Sequence, residues 1–255
     1  MDATLNGHAL TTTGLVKRFG ALPAVDGVDF CLPQGARHAL IGPNGSGKTT
    51  LINLLSGTLR ATAGRVLLQG EDVTGLPAHR RVARGLARTF QINTLFPRLT
   101  PIEAVAMAVC QRRKLGPILY RNMKSCREAI DESYELLEQM HLQPEARRPT
   151  RELAYGKQRL LEIALALASR PNVLLLDEPA AGVPQHESSE ILAVISELPK
   201  DIAVLFIEHD IDLVFRFAER ITVMMAGKIL CEGTPSEIAH NQDVRTVYLG
   251  DASYV

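Results

Sequence analysis

One glycine-rich stretch limits what this chain can fold into. Residues 42–49 read Gly-Pro-Asn-Gly-Ser-Gly-Lys-Thr, fit the pattern G-x-x-x-x-G-K-[ST], and follow a short run at 37–41 that is typical of a strand. Glycines let backbone N–H groups turn inward around an anion. Lys48 adds a positive charge, and the Thr49 hydroxyl is a hard oxygen ligand suited to Mg²⁺.

The same stretch is expected to open a helix near Lys48, whose positive dipole end would face the same anion. The alternative is a glycine-rich turn before an ordinary helix, and a chance match to the pattern is on the order of 1% in a chain of this length. We therefore predict a nucleoside triphosphate site whose residues are Gly42, Pro43, Asn44, Gly45, Ser46, Gly47, Lys48, Thr49 and Thr50.

The composition restricts the class of protein further. The 255 residues are 46% hydrophobic and carry no formal net charge, so the chain can bury a sizeable core and has no overall field that favours nucleic acid. Four cysteines without a C-x-x-C pair indicate a reduced, cytosolic protein without zinc or disulfides. The N-terminus is unlike a signal peptide, and the apolar stretches fall short of the ~20 residues of a membrane span. We expect a soluble protein that meets a membrane only through a partner.

The pattern along the chain predicts an α/β protein with a helical insert. Strand and helix signals alternate in the first and last parts, whereas the middle shows helix signals throughout. The clearest helix start is Thr100-Pro101-Ile102-Glu103, which combines an N-cap threonine, an early proline and a glutamate at the third position. Gly57 is expected to end the helix of the glycine-rich loop. The predicted parts are residues 1–91, 92–170 and 171–255.

Two features allow both a structural and a functional interpretation. Arg80, Arg81 and Arg84 lie on a short predicted helix, for which we favour a solvated face over a phosphate site. Phe19 lies on an early strand, 23 residues before Gly42. It is either a buried core aromatic or a platform on which adenine stacks.

Acidic and polar residues follow the later strands. The apolar run 173–176 ends in Asp177 and Glu178, so Asp177 is placed to hold Mg²⁺ and Glu178 to orient and deprotonate the attacking water. The alternative is that Asp-Glu-Pro merely begins a helix. His209 ends the next strand and is expected near the γ-phosphate, the alternative being a structural histidine. Gln91 follows the strand before the helical insert and is the candidate to bring an amide to the metal and the water.

These motifs occur in the order found in an ATP-binding cassette ATPase, which the chain resembles over essentially its whole length. The motifs are residues 42–49, Gln91, and residues 153–158, 174–179 and 208–210. The chain looks most like the branch that serves branched-chain amino acid importers, because of residues 88–91, 153–156, 177–182, 207–210 and 248–250. The fold implied is α/β: a P-loop NTPase core of the ABC type, with a mixed sheet and flanking helices. The resemblance also implies an antiparallel β part and an inserted helical subdomain.

The resemblance also implies a role for individual residues. Phe19 matches the aromatic residue that stacks on adenine, and Val25 is assigned to the nucleotide site with it. Glu178 matches the general base and His209 the switch histidine. The Mg²⁺ ligands implied are Thr49, Gln91 and Asp177, and the residues implied to bind the nucleotide of a partner cassette are Ala154, Tyr155, Gly156 and Lys157.

The partners follow from the same resemblance. In this family two cassettes dimerise head to tail around two ATP molecules and grip a membrane permease through a groove, which residues 92–105 with Phe96 would line. A solute-binding protein outside the membrane takes part indirectly, and no nucleic acid is involved. The chain would therefore lie at the cytoplasmic face of the inner (plasma) membrane as a peripheral subunit.

Two departures from the general family pattern bear on the site. Ala154, Tyr155 and Lys157 stand where Leu-Ser-Gly-Gly-Gln has Ser, Gly and Gln. Loss of the serine hydroxyl removes a hydrogen bond to a charged acceptor worth about 1.5–3 kcal/mol, which the Lys157 cation would restore in part. Pro184 replaces the usual Asp or Asn in the loop that meets the opposite site, which points to altered communication between the sites. The partner is either a second copy of this chain or a different cassette, and Pro184 favours the latter.

The function predicted is ATP hydrolysis that powers the import of branched-chain or related amino acids. An ATPase for lipid or lipopolysaccharide export shares nearly all the motifs and is the first alternative. A soluble cassette ATPase in cofactor assembly is the second, and it would need no membrane partner. A DNA-repair cassette carries long coiled coils between its two halves, and it is disfavoured because residues 111–150 are predicted to hold one helix and the net charge is zero.

Overall fold

The computed structural model describes residues 7–89, 95–115 and 127–249, and two sheets organise this part of the chain. The first sheet is antiparallel, in the spatial order β2-β1-β4-β5, and consists of β1 (His8–Phe19), β2 (Leu22–Pro33), β4 (Ala63–Leu68) and β5 (Glu71–Asp72). The second has the order β10-β9-β3-β8-β7-β6 and consists of β3 (Arg37–Ile41), β6 (Leu86–Arg88), β7 (Val173–Asp177), β8 (Ala203–Ile207), β9 (Arg220–Met225) and β10 (Lys228–Gly233).

Helices surround the second sheet. Those before the strand β7 are α1 (Lys48–Ser56), α2 (Ala78–Val82), α3 (Pro101–Arg112), α4 (Arg127–Gln139) and α5 (Tyr155–Leu167), with a 3₁₀ turn at Thr150–Glu152. Those after it are α6 (Gln185–Ser196), α7 (Ile211–Phe217), α8 (Pro235–His240) and α9 (Gln242–Leu249). Among the described residues, no helix has both the length and the apolar character that a membrane crossing requires.

The predicted helix boundaries at the glycine-rich loop and at Thr100 are confirmed. The helix α1 begins at Lys48, and Gly57 ends it with φ of 77°. The helix α3 begins after Thr100, whose side chain accepts from the backbone N–H of Glu103 while the Glu103 side chain accepts in return. Both helix starts are coded by residues within one turn of the boundary, which explains why the sequence predicted them.

The strand β7 shows why strands of the central sheet appear in the sequence as continuous apolar runs. Leu174 and Leu176 lie in one core cluster with the helices α3 to α6, whereas Val173 and Leu175 lie in a second cluster with α1 and the antiparallel sheet. All five residues of β7 are buried. A parallel strand covered on both faces needs apolar side chains at every position, as predicted.

Parallel pairing aligns the carboxyl ends of three strands. The strand β3 pairs in parallel with β8, Leu40 opposite Ile207, and β8 pairs in parallel with β7, Ile207 opposite Asp177. The glycine-rich loop after β3, the acidic pair at the end of β7 and the polar residues after β8 therefore meet at one edge of the sheet.

Arg81 corrects one sequence prediction. It does not belong to a solvated face with Arg80 and Arg84, because only 1% of its surface is exposed. Its guanidinium donates to the carbonyl oxygens of Leu54 and Leu55, both at 2.7 Å, and also to those of Thr74 and Leu76. The first two lie in the last turn of α1, where carbonyls lack intrahelical partners and a positive charge is favoured.

We expect the substitution Arg81→Met to lower the free energy of unfolding by about 3 kcal/mol, because the C-terminal carbonyls of α1 lose a buried charged donor. Arg80→Met is the matched control, since Arg80 is exposed on the same helix, and it should change stability by less than about 0.5 kcal/mol. Urea unfolding followed by circular dichroism measures both. Equal stability of the two variants would contradict the capping role.

Candidate nucleotide site

The glycine-rich loop forms one wall of a cavity at the carboxyl edge of the sheet. Gly47 caps α1 without a side-chain hydrogen bond, and no acidic residue occupies the first turn of that helix. The N–H groups of the first turn are thus left for a ligand. The cavity has a volume of about 210 Å³ and is lined by Ala24, Asn44, Gly45, Ser46, Gly47, Lys48, Thr49, Thr50, Glu178 and His209.

Lys48 is buried beneath this loop. Its Nζ donates to the carbonyl oxygens of Gly42 at 2.6 Å and Pro43 at 3.1 Å. Burial lowers the pKa of Lys48, while the nearby carboxylates of Glu178 and Asp177 act to raise it. The ammonium group is therefore held close to the cavity by the loop's own carbonyls and faces two acidic side chains.

Asp177 is suited to a cation. It is 3% exposed at the end of β7, and its Oδ2 accepts from Arg88 at 2.8 Å. Its Oδ1 is buried and has no hydrogen-bond partner within the described ranges. A buried carboxylate oxygen without a partner is costly unless a ligand occupies it. With the exposed Thr49 hydroxyl on the cavity wall, the donor set fits Mg²⁺, which takes hard oxygen ligands and few carboxylates.

Glu178 and His209 are in direct contact. The Nε2 of His209 lies 2.6 Å from Oε1 of Glu178, and both side chains are partly exposed to the cavity. Glu178 has φ of 51°, in the left-handed region that a glutamate rarely adopts, and its backbone N–H donates to the Ile207 carbonyl at 3.1 Å. Strained backbone of this kind is concentrated at functional sites. The two side chains are placed to share a proton beside the loop.

Glu208 is a buried residue that holds the backbone beside Glu178 and His209 in place. It is 6% exposed and accepts from the backbone N–H of Ala180 at 2.9 Å and from that of His209 at 3.3 Å. Burial raises the pKa of Glu208, and these hydrogen bonds counteract the rise. One carboxylate therefore links the loop after β7 to the end of β8, and fixes Glu178 and His209 relative to each other.

Other predicted residues lie elsewhere. Gln91 is outside the described residues. Phe19 is 52% exposed at the end of β1, with Lys17 Nζ 5.2 Å from its ring centroid, so it is not the buried core aromatic considered above. Phe19 does not line the cavity. Val25 has no exposed surface and packs in the core beneath the antiparallel sheet, next to Ala24 of the cavity wall, and its assignment to the nucleotide site stays a prediction.

The residues of the signature motif lie away from the cavity, at the start of α5. Ala154 precedes the helix, and Tyr155 is 39% exposed with the Arg159 guanidinium over its ring. Gly156 packs closely against the Glu187 side chain of α6. Lys157 forms an ion pair with Glu190 at 3.0 Å, so its charge is engaged within this chain.

Two residues near the site were not singled out for a role by the sequence analysis. The family resemblance includes Arg88 in the stretch 88–91 and Glu208 in the motif at 208–210, but it implies no individual role for either. Arg88 is the last residue of the short strand β6, and Glu208 directly follows the apolar strand β8. That pattern was the available signal, but the partners that make the burial favourable come from distant parts of the chain.

The comparisons with known proteins agree with this geometry. Residues 25–181 match the family described as ABC transporter. The chain belongs to this family and is an ATP-hydrolysing, ATP-binding subunit. Residues 228–254 match a second family model, described as Branched-chain amino acid ATP-binding cassette transporter.

Individual relatives cover nearly the whole chain. The high-affinity branched-chain amino acid transport ATP-binding protein BraF of Pseudomonas aeruginosa is 40% identical over 252 residues, which are 95% of this chain and 98% of BraF. The lipopolysaccharide export system ATP-binding protein LptB of Haemophilus influenzae is 33% identical over 243 residues, 95% of this chain and 97% of LptB.

Solved structures share the fold. The ADP conformation of MJ1267, an ATP-binding cassette of an ABC transporter, has a TM-score of 0.84 and 31% identity, and the match covers 96% of this chain and 99% of that one. A dimeric post-hydrolysis state of the cassette MJ0796, bound to ADP and Pi, has a TM-score of 0.72 and 25% identity, with 89% and 98% covered. The predicted α/β cassette fold is confirmed.

Gly47→Ala should weaken nucleotide binding about a hundredfold, because a methyl group at this position would overlap the Ala24 carbonyl and the loop would have to move. Gly45→Ala is the matched control. Both glycines have positive φ, 105° and 79°, but no atom lies within 4 Å of a Cβ at Gly45. Titration of a fluorescent ATP analogue compares them. Similar losses in both variants would show that backbone conformation, and not the close approach to Ala24, limits the loop.

Proposed function

We propose that this chain is the ATP-hydrolysing subunit of an importer for branched-chain or related amino acids. The observation that carries the proposal is the match of residues 228–254 to the C-terminal family model for branched-chain amino acid cassettes. The relative BraF, at 40% identity over nearly the whole chain, supports the same solute class. The alternative of lipopolysaccharide export has support from LptB, but at 33% identity.

The glycine-rich loop, Lys48 and the start of α1 would hold the phosphates of ATP. Thr49 and Asp177 from the described residues, together with Gln91, would hold Mg²⁺, which when bound neutralises charge on the phosphate oxygens. The unpartnered Oδ1 of Asp177 and the buried Ser46 hydroxyl, which has no partner in the described part of the chain, support this assignment. Phe19 keeps its proposed role on adenine, since its exposed ring is available for stacking.

Glu178 is proposed as the general base. Its carboxylate borders the cavity beside Lys48 and is held by His209 at 2.6 Å. The His209 imidazole, whose Nε2 lies within hydrogen-bond distance of Oε1, would orient the carboxylate that takes the proton from water. General-base catalysis of this kind contributes about 10²–10⁴-fold to a rate.

A second cassette is proposed to complete the site. The residues Ala154, Tyr155, Gly156 and Lys157 do not line this chain's own cavity, which supports their action on the nucleotide of a partner cassette. Lys157 would have to leave Glu190 to supply its charge there. Pro184, the residue before α6, is proposed to alter communication between the two sites and to favour a different cassette as partner.

The permease is proposed to dock at the start of the helical part, near residues 95–105. Phe96 is 61% exposed there, an apolar side chain available to a partner helix. Residues 92–94 of the predicted groove lie outside the described ranges. Contact with a permease would hold this chain at the cytoplasmic face of the inner (plasma) membrane as a peripheral subunit, with a solute-binding protein acting on the other side.

Glu178→Gln should lower the rate of ATP hydrolysis by about 10²–10⁴-fold while ATP binding stays intact, because the amide cannot accept the proton. Glu197→Gln is the control, since Glu197 is an exposed glutamate at the end of α6. Phosphate release and binding of a fluorescent ATP analogue are measured on both. Hydrolysis by Glu178→Gln at the wild-type rate would refute the general-base assignment.

The transport proposal is tested by purifying tagged Glu178→Gln protein from detergent-solubilised native membranes with ATP and Mg²⁺ and identifying its partners by mass spectrometry. We expect two polytopic permeases and a second cassette, together with leucine uptake that depends on wild-type protein in the same cells. Components of lipid export in place of the permeases, with unchanged leucine uptake, would assign the chain to the alternative. Purification without any membrane protein would refute transport while leaving the ATPase activity in place.

A further inference from the structure

Arg88 connects three elements of the nucleotide site. It is the last residue of β6, and its side chain is 8% exposed. One guanidinium nitrogen donates to Oδ2 of Asp177 at 2.8 Å, and the other donates to Oδ1 of Asn53 at 2.6 Å and to the Ser56 hydroxyl at 3.2 Å. Asn53 and Ser56 belong to α1, five and eight residues after Lys48.

The contact with Arg88 gives the two oxygens of the Asp177 carboxylate different surroundings. Oδ2 is fixed by the guanidinium, whereas Oδ1 stays buried without a hydrogen-bond partner among the described residues. Rotation of the carboxylate would break the ion pair, and the side chain of Asp177, which is 2% exposed, would lose its hydrogen-bonded counter-charge. The contact therefore presents one defined oxygen to a cation.

The shape of the guanidinium is what allows this bridge. Its planar fork carries several N–H donors in fixed directions, so one group can bond a carboxylate and an amide oxygen together. A lysine ammonium would keep the charge but lacks this fork. The position of α1, and with it the Thr49 hydroxyl, is thereby tied to the position of the Asp177 carboxylate.

We propose that Arg88 is a positioning residue for the divalent cation. Arg88 holds Asp177 so that Oδ1 faces the metal, and it fixes the position of that oxygen relative to α1. The inference rests on the proposed metal role of Asp177. Groups that orient the ligands of a metal typically change its affinity by about 10–100-fold when removed. An arginine that merely competed with the metal for the carboxylate would have the opposite effect, because its removal would strengthen metal binding.

The test measures binding of Mn²⁺, as a spectroscopic probe, to the full chain with ADP, so no turnover contributes. Electron paramagnetic resonance gives the affinity for wild type, R88M, R88K, N53A and D177N. R84M is the matched control, since Arg84 is exposed in an ion pair with Glu71. We expect Mn²⁺ affinity to fall about tenfold in R88M, less in R88K and N53A, and not at all in R84M. Thermal unfolding without nucleotide verifies that each variant is folded.

Other results would show whether the role of Arg88 or the metal role of Asp177 is wrong. A loss in D177N with unchanged or tighter binding in R88M would overturn the role of Arg88 and leave the metal site in place. Unchanged binding in D177N would refute the metal role of Asp177 and the inference with it. If R88M does not fold, R88K and N53A decide the question, because a purely structural arginine predicts wild-type affinity in folded variants. A double variant N53A/R88M should lose no more affinity than R88M alone if both residues act along one path.

Discussion

Burial of the central sheet on both faces is the constraint on which the nucleotide site depends. The strands β3, β7 and β8 carry apolar side chains to two separate cores, so their register is strongly specified. Their carboxyl ends are thereby aligned, which brings Lys48, Glu178 and His209 to one edge. The chemistry depends on this alignment, because each strand contributes a different group to the same small cavity.

The helix α1 is the second fixed element, and it is held at its last turn and along one side. Its first turn opens on the cavity without a capping side chain, and its last turn is capped by the buried Arg81 guanidinium. Arg88 donates a hydrogen bond to the side chain of Asn53, which lies within α1. A phosphate-binding helix with an open N-terminus gives up stabilisation there, and the two arginines compensate at the places where no ligand is needed.

The parts of the fold and site that the sequence predicted are those coded locally. The loop at 42–49, the capping box at Thr100 and the buried run of β7 each need only a short stretch of residues, and each was predicted correctly. Arg81 was wrongly assigned to solvent because its burial depends on carbonyls at the end of α1, 26 and 27 residues away, as well as on two carbonyls just before α2. The burial of Val25 could not be predicted either, because one sequence cannot tell which face of a long, bulged strand is covered. The assigned catalytic roles remain predictions.

The backbone of Glu178 has a consequence for how this protein can change over time. Its φ of 51° is a conformation that glycine adopts at little cost and that a glutamate adopts at roughly 1–2 kcal/mol. Selection for stability alone would therefore favour glycine at the position where the carboxylate meets His209. Stability and activity are opposed at this residue, so a thermostable lineage that kept the glutamate would have to gain its stability elsewhere.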